Sequence, residues 1–278
     1  METGLVFRGA QGMLVGVLHH PEAPSTDKGV VIIVGGPQYR AGSHRHFVLL
    51  ARTLTAAGFP VLRFDYYGMG DSDGEVGSFE DVDDDIRAAV DVLCREQPQV
   101  CQVVLWGLCD GASAALMYAG RDARVSGLVL LNPWARSERG EARAYLRYYY
   151  IRRLASREFW LAAFGGRWRW QESLRDIKAL VSRASASAPA EEARVNFIDR
   201  MAQGWEAFRG RVLLILSGND LTADEFRDWI AATRGRRKWL KRPGTRVETV
   251  RDANHTFARS DWRDRVTAIT LSWLREKT

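Results

Sequence analysis

Short, unbroken apolar runs alternate along the chain with longer stretches whose apolar residues recur at helical spacing. Residues 30–34, Val-Val-Ile-Ile-Val, form a β-branched run ending in Gly35-Gly36-Pro37. That is the pattern of a strand buried on both faces of a parallel sheet. Runs at 60–64, 103–106, 127–131, 212–216 and 246–250 predict further strands, and helical spacing predicts helices over 46–57, 79–95, 110–119, 223–233 and 262–275. Ahead of these, 4–8 and 13–19 read as two strands joined by the turn Gly9-Ala10-Gln11-Gly12, an antiparallel hairpin at one edge. Strand-helix alternation of this kind predicts an α/β fold with a mostly parallel, doubly wound sheet of eight strands, flanked by helices on right-handed crossovers.

One stretch breaks the alternation. Residues 136–209 keep helical spacing but are dense in rings, among them Tyr145, Tyr148, Tyr149, Tyr150, Trp160 and Trp168. They read as a helical cap inserted between strands six and seven, which divides the chain into a core at 1–135 and 210–278 and a cap at 136–209. Within the cap, the low-complexity segment 182–189 ends in Pro189, with Glu191 and Glu192 next, and reads as a hinge before a new helix.

Composition narrows the class. Of 278 residues, 46% are hydrophobic and 27% charged, which are globular averages and exclude disorder, collagen and coiled coil. No run approaches about 18 apolar residues, and the first residues lack a secretory pattern, so the cytoplasm is the expected location. Cys94, Cys101 and Cys109 are odd in number and lack metal-ligand spacing, so neither a disulfide framework nor a metal site is expected. The net charge of +6 has a local origin: residues 136–209 hold 15 Arg and Lys against 9 Asp and Glu, and the rest is balanced at 25 of each. A basic cap on a neutral body argues against nucleic acid as partner and for an anionic ligand group or contact with a membrane surface.

The chemistry concentrates at Gly107-Leu108-Cys109-Asp110-Gly111, directly after one predicted strand and before a helix of small residues. A nucleophile on so sharp a turn needs small residues two positions to either side, which Gly107 and Gly111 provide. The turn puts Cys109 at a helix N-terminus, where the dipole and free N–H groups favour a thiolate. Its base and orienting acid are expected later in the chain. Asp220 follows the strand at 212–216 and His255 follows the strand at 246–250, so all three sit at carboxyl ends of strands, where an open α/β sheet has its crevice. Asp224 and Glu138 are rival acids. The oxyanion donors expected are the N–H groups of Asp110 and, from the Gly-Gly-Pro loop, Gly36, since Pro37 has none.

Together these motifs resemble the α/β-hydrolase superfamily over nearly the whole chain except the cap. Val34-Gly35-Gly36-Pro37 resembles the oxyanion loop His-Gly-Gly-Pro, with Val in place of His. Asp65-Tyr66-Tyr67-Gly68-Met69-Gly70-Asp71-Ser72 resembles the Asp-x-x-Gly-x-Gly-x-Ser loop, and the elbow carries Cys where the superfamily usually has Ser. More narrowly, the Gly-Gly-Pro-Gln-Tyr-Arg start, the Gly-Leu-Cys-Asp-Gly elbow and Asn254-His255-Thr256-Phe257 resemble hydrolases associated with bacterial exosortase and exopolysaccharide clusters. Dienelactone hydrolases and polyhydroxyalkanoate synthases are similar in having an elbow cysteine, which implies that both hydrolysis and acyl transfer suit this arrangement.

Other features weigh less. Gly68-x-Gly70-x-x-x-Gly74 lacks the helix a dinucleotide loop needs, and the acidic run at 83–85 reads as a solvated helix start rather than a metal site. The Arg and Tyr run at 143–153 is expected to line the pocket, to meet a membrane surface, or to be an amphipathic lid helix. Arg40 and Arg45, near the oxyanion loop, are candidate anion-binding residues. The expectation is therefore an acyl hydrolase acting on a small ester or thioester, anionic or carrier-bound, through a Cys109-His255-Asp220 triad without cofactor. An acyltransferase using the same acyl-cysteine and a non-catalytic binding module are the alternatives.

Overall fold

The structure, a computed structural model, describes residues 1–23, 26–35, 38–75, 77–135 and 197–276. Eight strands form one sheet: β1 (Glu2–Arg8), β2 (Met13–His19), β3 (Lys28–Ile33), β4 (Val61–Asp65), β5 (Gln102–Leu108), β6 (Val125–Leu131), β7 (Arg211–Ser217) and β8 (Thr245–Val250). Their order is β1-β2-β4-β3-β5-β6-β7-β8; β2 runs antiparallel to both β1 and β4, and every other pair is parallel. Exposure follows position. Edge strand β1 shows its residues to water alternately, whereas β4 is buried at every residue and β3 at all but its first. Burial on both faces is why these strands are continuous runs of Val, Ile, Leu and Phe.

The described helices are α1 (His46–Ala56), α2 (Asp83–Glu96), α3 (Asp110–Tyr118), α4 (Phe197–Ala207), α5 (Leu221–Ala231), α6 (Arg234–Trp239) and α7 (Ser260–Arg275). The helix expected over 79–95 begins only at Asp83, and Phe79–Asp81 is a separate 3-10 turn capped by Ser78, whose Oγ accepts the Glu80 N–H at 3.1 Å. Helix α6 is unexpected, because Arg-Gly-Arg-Arg-Lys-Trp shows no apolar stripe. Two local features build it: Thr233 Oγ1 accepts the Arg236 N–H at 3.2 Å, and the Trp239 ring stacks on Trp205 at 5.6 Å.

The acidic start of α2 is less solvated than its composition implies. Asp84 is exposed, but Asp83 pairs with Arg121 and Arg200, and Asp85 is buried and accepts the Tyr67 N–H at 2.8 Å. Burial raises the Asp85 carboxyl above its ordinary range.

Most of the expected cap, residues 136–196, lies outside the described residues, as do the hinge and the Arg and Tyr run. Its last part, α4, packs on α3 so closely that a Cβ on Gly204 would collide with the Leu116 carbonyl oxygen. Met201 and Trp205 of α4 are buried there, joining the core. Among the described residues no helix is long and apolar enough to cross a membrane.

This topology fixes where a site lies. Strand β4 lies on one side of β3 and β5 on the other, so the order reverses between β3 and β5, and a crevice opens at their carboxyl ends. Register brings the ends level, with Ile33 beside Gly107, Leu108 beside Leu131 and Leu131 beside Ile215.

Candidate active site

Cys109 sits at the crevice, between β5 and α3, with φ 59° and ψ −127°. A non-glycine residue with positive φ is strained, and the contacts around it over-determine that conformation. The Cys109 N–H donates to the Leu131 oxygen at 2.9 Å, and the Cys109 oxygen accepts N–H groups from Ala112 and Ser113 at 3.0 and 3.1 Å. A Cβ on Gly107 would strike the Gly111 carbonyl, and one on Gly111 would lie 2.5 Å from the Ile33 oxygen. Strand, elbow and helix are thus too close for side chains at either glycine, as the spacing predicted.

The structure brings His255 and Asp220 together. Asp220 Oδ2 lies 2.9 Å from His255 Nδ1, and the two side chains are 6% and 31% exposed, so the pair is half shielded from water. Asp220 also caps α5, accepting the Thr222 and Ala223 N–H groups at 3.2 Å each, which holds its carboxylate in place. Rival Asp224 pairs instead with Arg227 at 2.8 Å, and Glu138 lies outside the described residues. Burial works against a charged imidazole, but the hydrogen bond and charge of Asp220 prevail and raise the His255 pKa above its ordinary value.

The thiol behaves differently from expectation. Burial and the carboxylate of adjacent Asp110 push the Cys109 pKa far up, so the thiol is neutral at rest rather than a preformed thiolate. The helix terminus is outweighed first by burial of the sulfur and then by the Asp110 carboxylate beside it.

Of the oxyanion donors, Asp110 opens α3 next to Cys109, whereas Gly36 lies outside the described residues. The two arginines do not serve as expected. Arg40 is committed to carboxylates: it pairs with Asp65, which is fully buried, and with Asp71 at 2.6 Å, and its N–H donates to Asp65 Oδ1 at 2.6 Å. It therefore ties the oxyanion loop to the 65–72 loop instead of waiting for an anion. Arg45 is exposed at the start of α1, with φ 59°, and lines no part of the cavity described next.

A cavity of about 920 Å³ opens beside the elbow, with Asp110 in its wall. Tyr39, Tyr66, Phe79, Trp134 and Phe197 supply its aromatic surface. Phe79, Trp134 and Phe197 contact one another with centroids 5.4 to 5.6 Å apart, and Ser113 Oγ donates to the Trp134 oxygen at 2.8 Å, anchoring this wall to α3.

One supporting residue escaped the sequence reading. Asn132, fully buried with φ 42°, donates from Nδ2 to Ser217 Oγ at 2.8 Å and to the His255 oxygen at 3.1 Å, while its Oδ1 accepts the Ser217 N–H at 2.8 Å. Its signal was an Asn directly after a buried strand and before Pro133, a place where Asn tolerates left-handed backbone.

Several solved structures share the fold at low identity. An esterase from Pyrococcus furiosus superposes with a TM-score of 0.66 at 15% identity, covering 99% of this chain and 92% of that one. A highly thermostable carboxyl esterase from Bacillus coagulans gives 0.62 at 17% identity, with 98% and 97% covered. A serine hydrolase without lid from Xanthomonas campestris gives 0.56 at 19%, with 100% and 97% covered. No curated protein matches the chain at a significant level. The model of one family, described as serine aminopeptidase, S33, matches residues 25–225. With well over half its length matched and the eight-stranded sheet and flanking helices in place, the chain belongs to this family of α/β hydrolases.

Proposed function

We propose that this protein is an esterase or thioesterase acting through an acyl-cysteine on Cys109. The observation that carries the reading is the 2.9 Å contact of His255 with Asp220, at the same sheet end as a cysteine in strained elbow geometry. His255 takes the Cys109 proton as sulfur attacks the carbonyl carbon, and the oxyanion forms against the N–H groups of Asp110 and Gly36. Because burial and Asp110 hold the thiol neutral, proton removal accompanies attack. The imidazolium then gives its proton to the departing alcohol or thiol. Water, deprotonated by His255, attacks the thioester carbonyl, and the acid leaves as Cys109 recovers its proton.

A thioester intermediate passes readily to acceptors other than water, and the 920 Å³ cavity has room for one beside the acyl group, which favours acyl transfer as a second reading. The resemblance of the elbow and oxyanion loop to exosortase-associated hydrolases supports work on an acylated intermediate of exopolysaccharide assembly.

The test is intact mass after brief incubation with an activated acyl thioester. A single acyl adduct on wild type, absent from Cys109→Ala and His255→Ala, is expected. Turnover retained in Cys109→Ala overturns the mechanism, and product analysis with added amines, thiols or sugars separates hydrolysis from transfer.

A further inference from the structure

The charge balance outside 136–209 conceals a segregation. Residues 234–246, which contain α6 and the turn into β8, hold seven Arg and Lys and no Asp or Glu. Beside this segment opens a second cavity, of about 260 Å³. It lies at the far end of the sheet from the elbow. Val212 and Thr245 in its lining stand at the starts of β7 and β8, whereas Asp220 and His255 follow the ends of those strands.

Its lining reverses the charge of the elbow cavity. Asp71, Glu80 and Asp110 line the elbow cavity with no described Lys, Arg or His beside them, whereas Arg209 and Arg242 line this one with no described Asp or Glu. Neither arginine has a carboxylate partner among the described residues. Main-chain oxygens steady them instead: Arg209 Nη1 donates to the Glu206 oxygen at 3.0 Å, and Arg242 Nη1 to the Trp205 oxygen at 2.9 Å. Both oxygens belong to the last turn of α4, so each guanidinium caps a helix end with one nitrogen and keeps further donors for another partner. Below them the cavity is apolar, lined by Leu116, Trp205, Phe208 and Val212. Trp205 is fixed there by stacking on Trp239, with planes 12° apart. Guanidinium forks match the oxygens of a carboxylate or phosphate, and the rings beneath cover whatever apolar group it carries.

We propose that this cavity is a ligand site separate from the elbow. It takes a small carboxylate or phosphate that carries an apolar group, with the oxygens on Arg209 and Arg242 and the apolar group against Trp205 and Phe208. The site does not depend on the acyl-cysteine reading, since none of its residues lines the elbow cavity.

Calorimetric titration of the full chain with four probes tests this: phenylacetate, its neutral isostere phenylacetamide, phenyl phosphate and inorganic phosphate. Phenylacetate and phenyl phosphate are expected to bind at one site each. Phenylacetamide and inorganic phosphate are expected to bind more weakly by roughly tenfold or more, the first for want of charge and the second for want of an apolar group. Arg209 is exposed, so Arg209→Met leaves the fold in place, and it is expected to weaken both aromatic anions by roughly tenfold or more. Arg242→Met is expected to do the same, and Arg209→Met decides the matter if loss of the Arg242 cap loosens α4. Equal affinity for phenylacetate and phenylacetamide, an affinity unmoved by Arg209→Met, or no binding of any probe overturns the proposal. Phosphatidylglycerol vesicles distinguish the source of the oxyanion. Sedimentation with them that is lost in Arg209→Met, while the soluble probes fail to bind, overturns the small ligand in favour of a lipid headgroup.

Discussion

The side-chain amide of Asn132 donates to the main-chain oxygen of His255 at 3.1 Å while its oxygen accepts the Ser217 N–H at 2.8 Å. Ser217 Oγ in turn donates to the Asn254 oxygen at 2.9 Å. The loop that carries His255 is therefore fastened to the ends of β6 and β7 by one buried carboxamide that both gives and accepts.

Because both roles are needed, substitutions at Asn132 are expected to rank by chemistry. Asn132→Asp keeps the acceptor but loses the donor and buries a charge, and Asn132→Ala loses both, so each is expected to destabilise by about 1–3 kcal/mol. If Asn132 positions His255, ester turnover falls further than folded fraction, with kcat reduced and KM little changed. Urea denaturation alongside steady-state kinetics checks this; a loss of stability with unchanged kcat would mean the network serves the fold alone.

The Asp220 carboxylate sets the pH at which His255 becomes a base. Its hydrogen bond and charge raise the imidazole pKa against burial, so kcat/KM rises with pH as His255 loses its proton, at a midpoint above the ordinary histidine value. In Asp220→Asn the support for imidazolium is gone and burial remains, so the midpoint moves to lower pH. The rate on the plateau is expected to fall by about 10⁴-fold, since the imidazole loses its orientation and its counter-charge. A pH–rate profile of both proteins gives the sign directly, and an unmoved midpoint would assign the limb to another group.

Much of this arrangement was legible in the sequence because it rests on local rules. The elbow needs glycine two residues either side of Cys109, and strand ends locate Asp220 and His255. What was hidden depends on residues meeting across the sheet. Asn132 acquires its role only because β6 and β7 pair with Leu131 beside Ile215, which no spacing reveals. Arg40 looked free because its partner Asp65 lies at the end of another strand, and Asp85 looked solvated because its run is acidic, although Tyr67 draws it inward. Asp110 was read only as a backbone donor, since the effect of its carboxylate on the thiol depends on how deeply both are buried.

Arg40 and Asp65 form a structural rather than a ligand-binding pair. Asp65 is fully buried and accepts N–H groups from Arg40 at 2.6 Å and Asp71 at 3.2 Å besides the guanidinium. Removing one partner strands the other charge, so Arg40→Met is expected to cost about 3–5 kcal/mol. Replacing both, as Arg40→Met with Asp65→Asn, is expected to recover part of that loss. A double-mutant cycle in urea measures the coupling; additive losses would show that the pair contributes nothing of its own.

Two buried histidines set the acid limit of stability. His19 and His46 are each 1% exposed, and each has its pKa lowered to about 4, His19 by burial and then by Arg63, His46 by burial and then by Arg263. Arg63 Nε donates to His19 Nε2 at 2.9 Å, which requires that nitrogen to be unprotonated. The unfolded chain binds these protons near pH 6.5 and the folded chain only near pH 4, so unfolding takes up protons in between. The stability they contribute is complete above about pH 6.5 and falls as pH drops towards 4, by a few kcal/mol in all. His46 differs from His19 in having neither ring nitrogen bonded, while its ring packs edge-on against Trp106 at 5.6 Å. His46→Phe is therefore expected to keep the packing, leave stability at pH 7.5 unchanged or higher, and flatten the acid slope, because it removes both an unsatisfied polar ring and one of the two protons taken up. Urea titrations at pH 7.5, 6 and 5 read this out, and an acid slope as steep in His46→Phe as in wild type would place the proton uptake elsewhere.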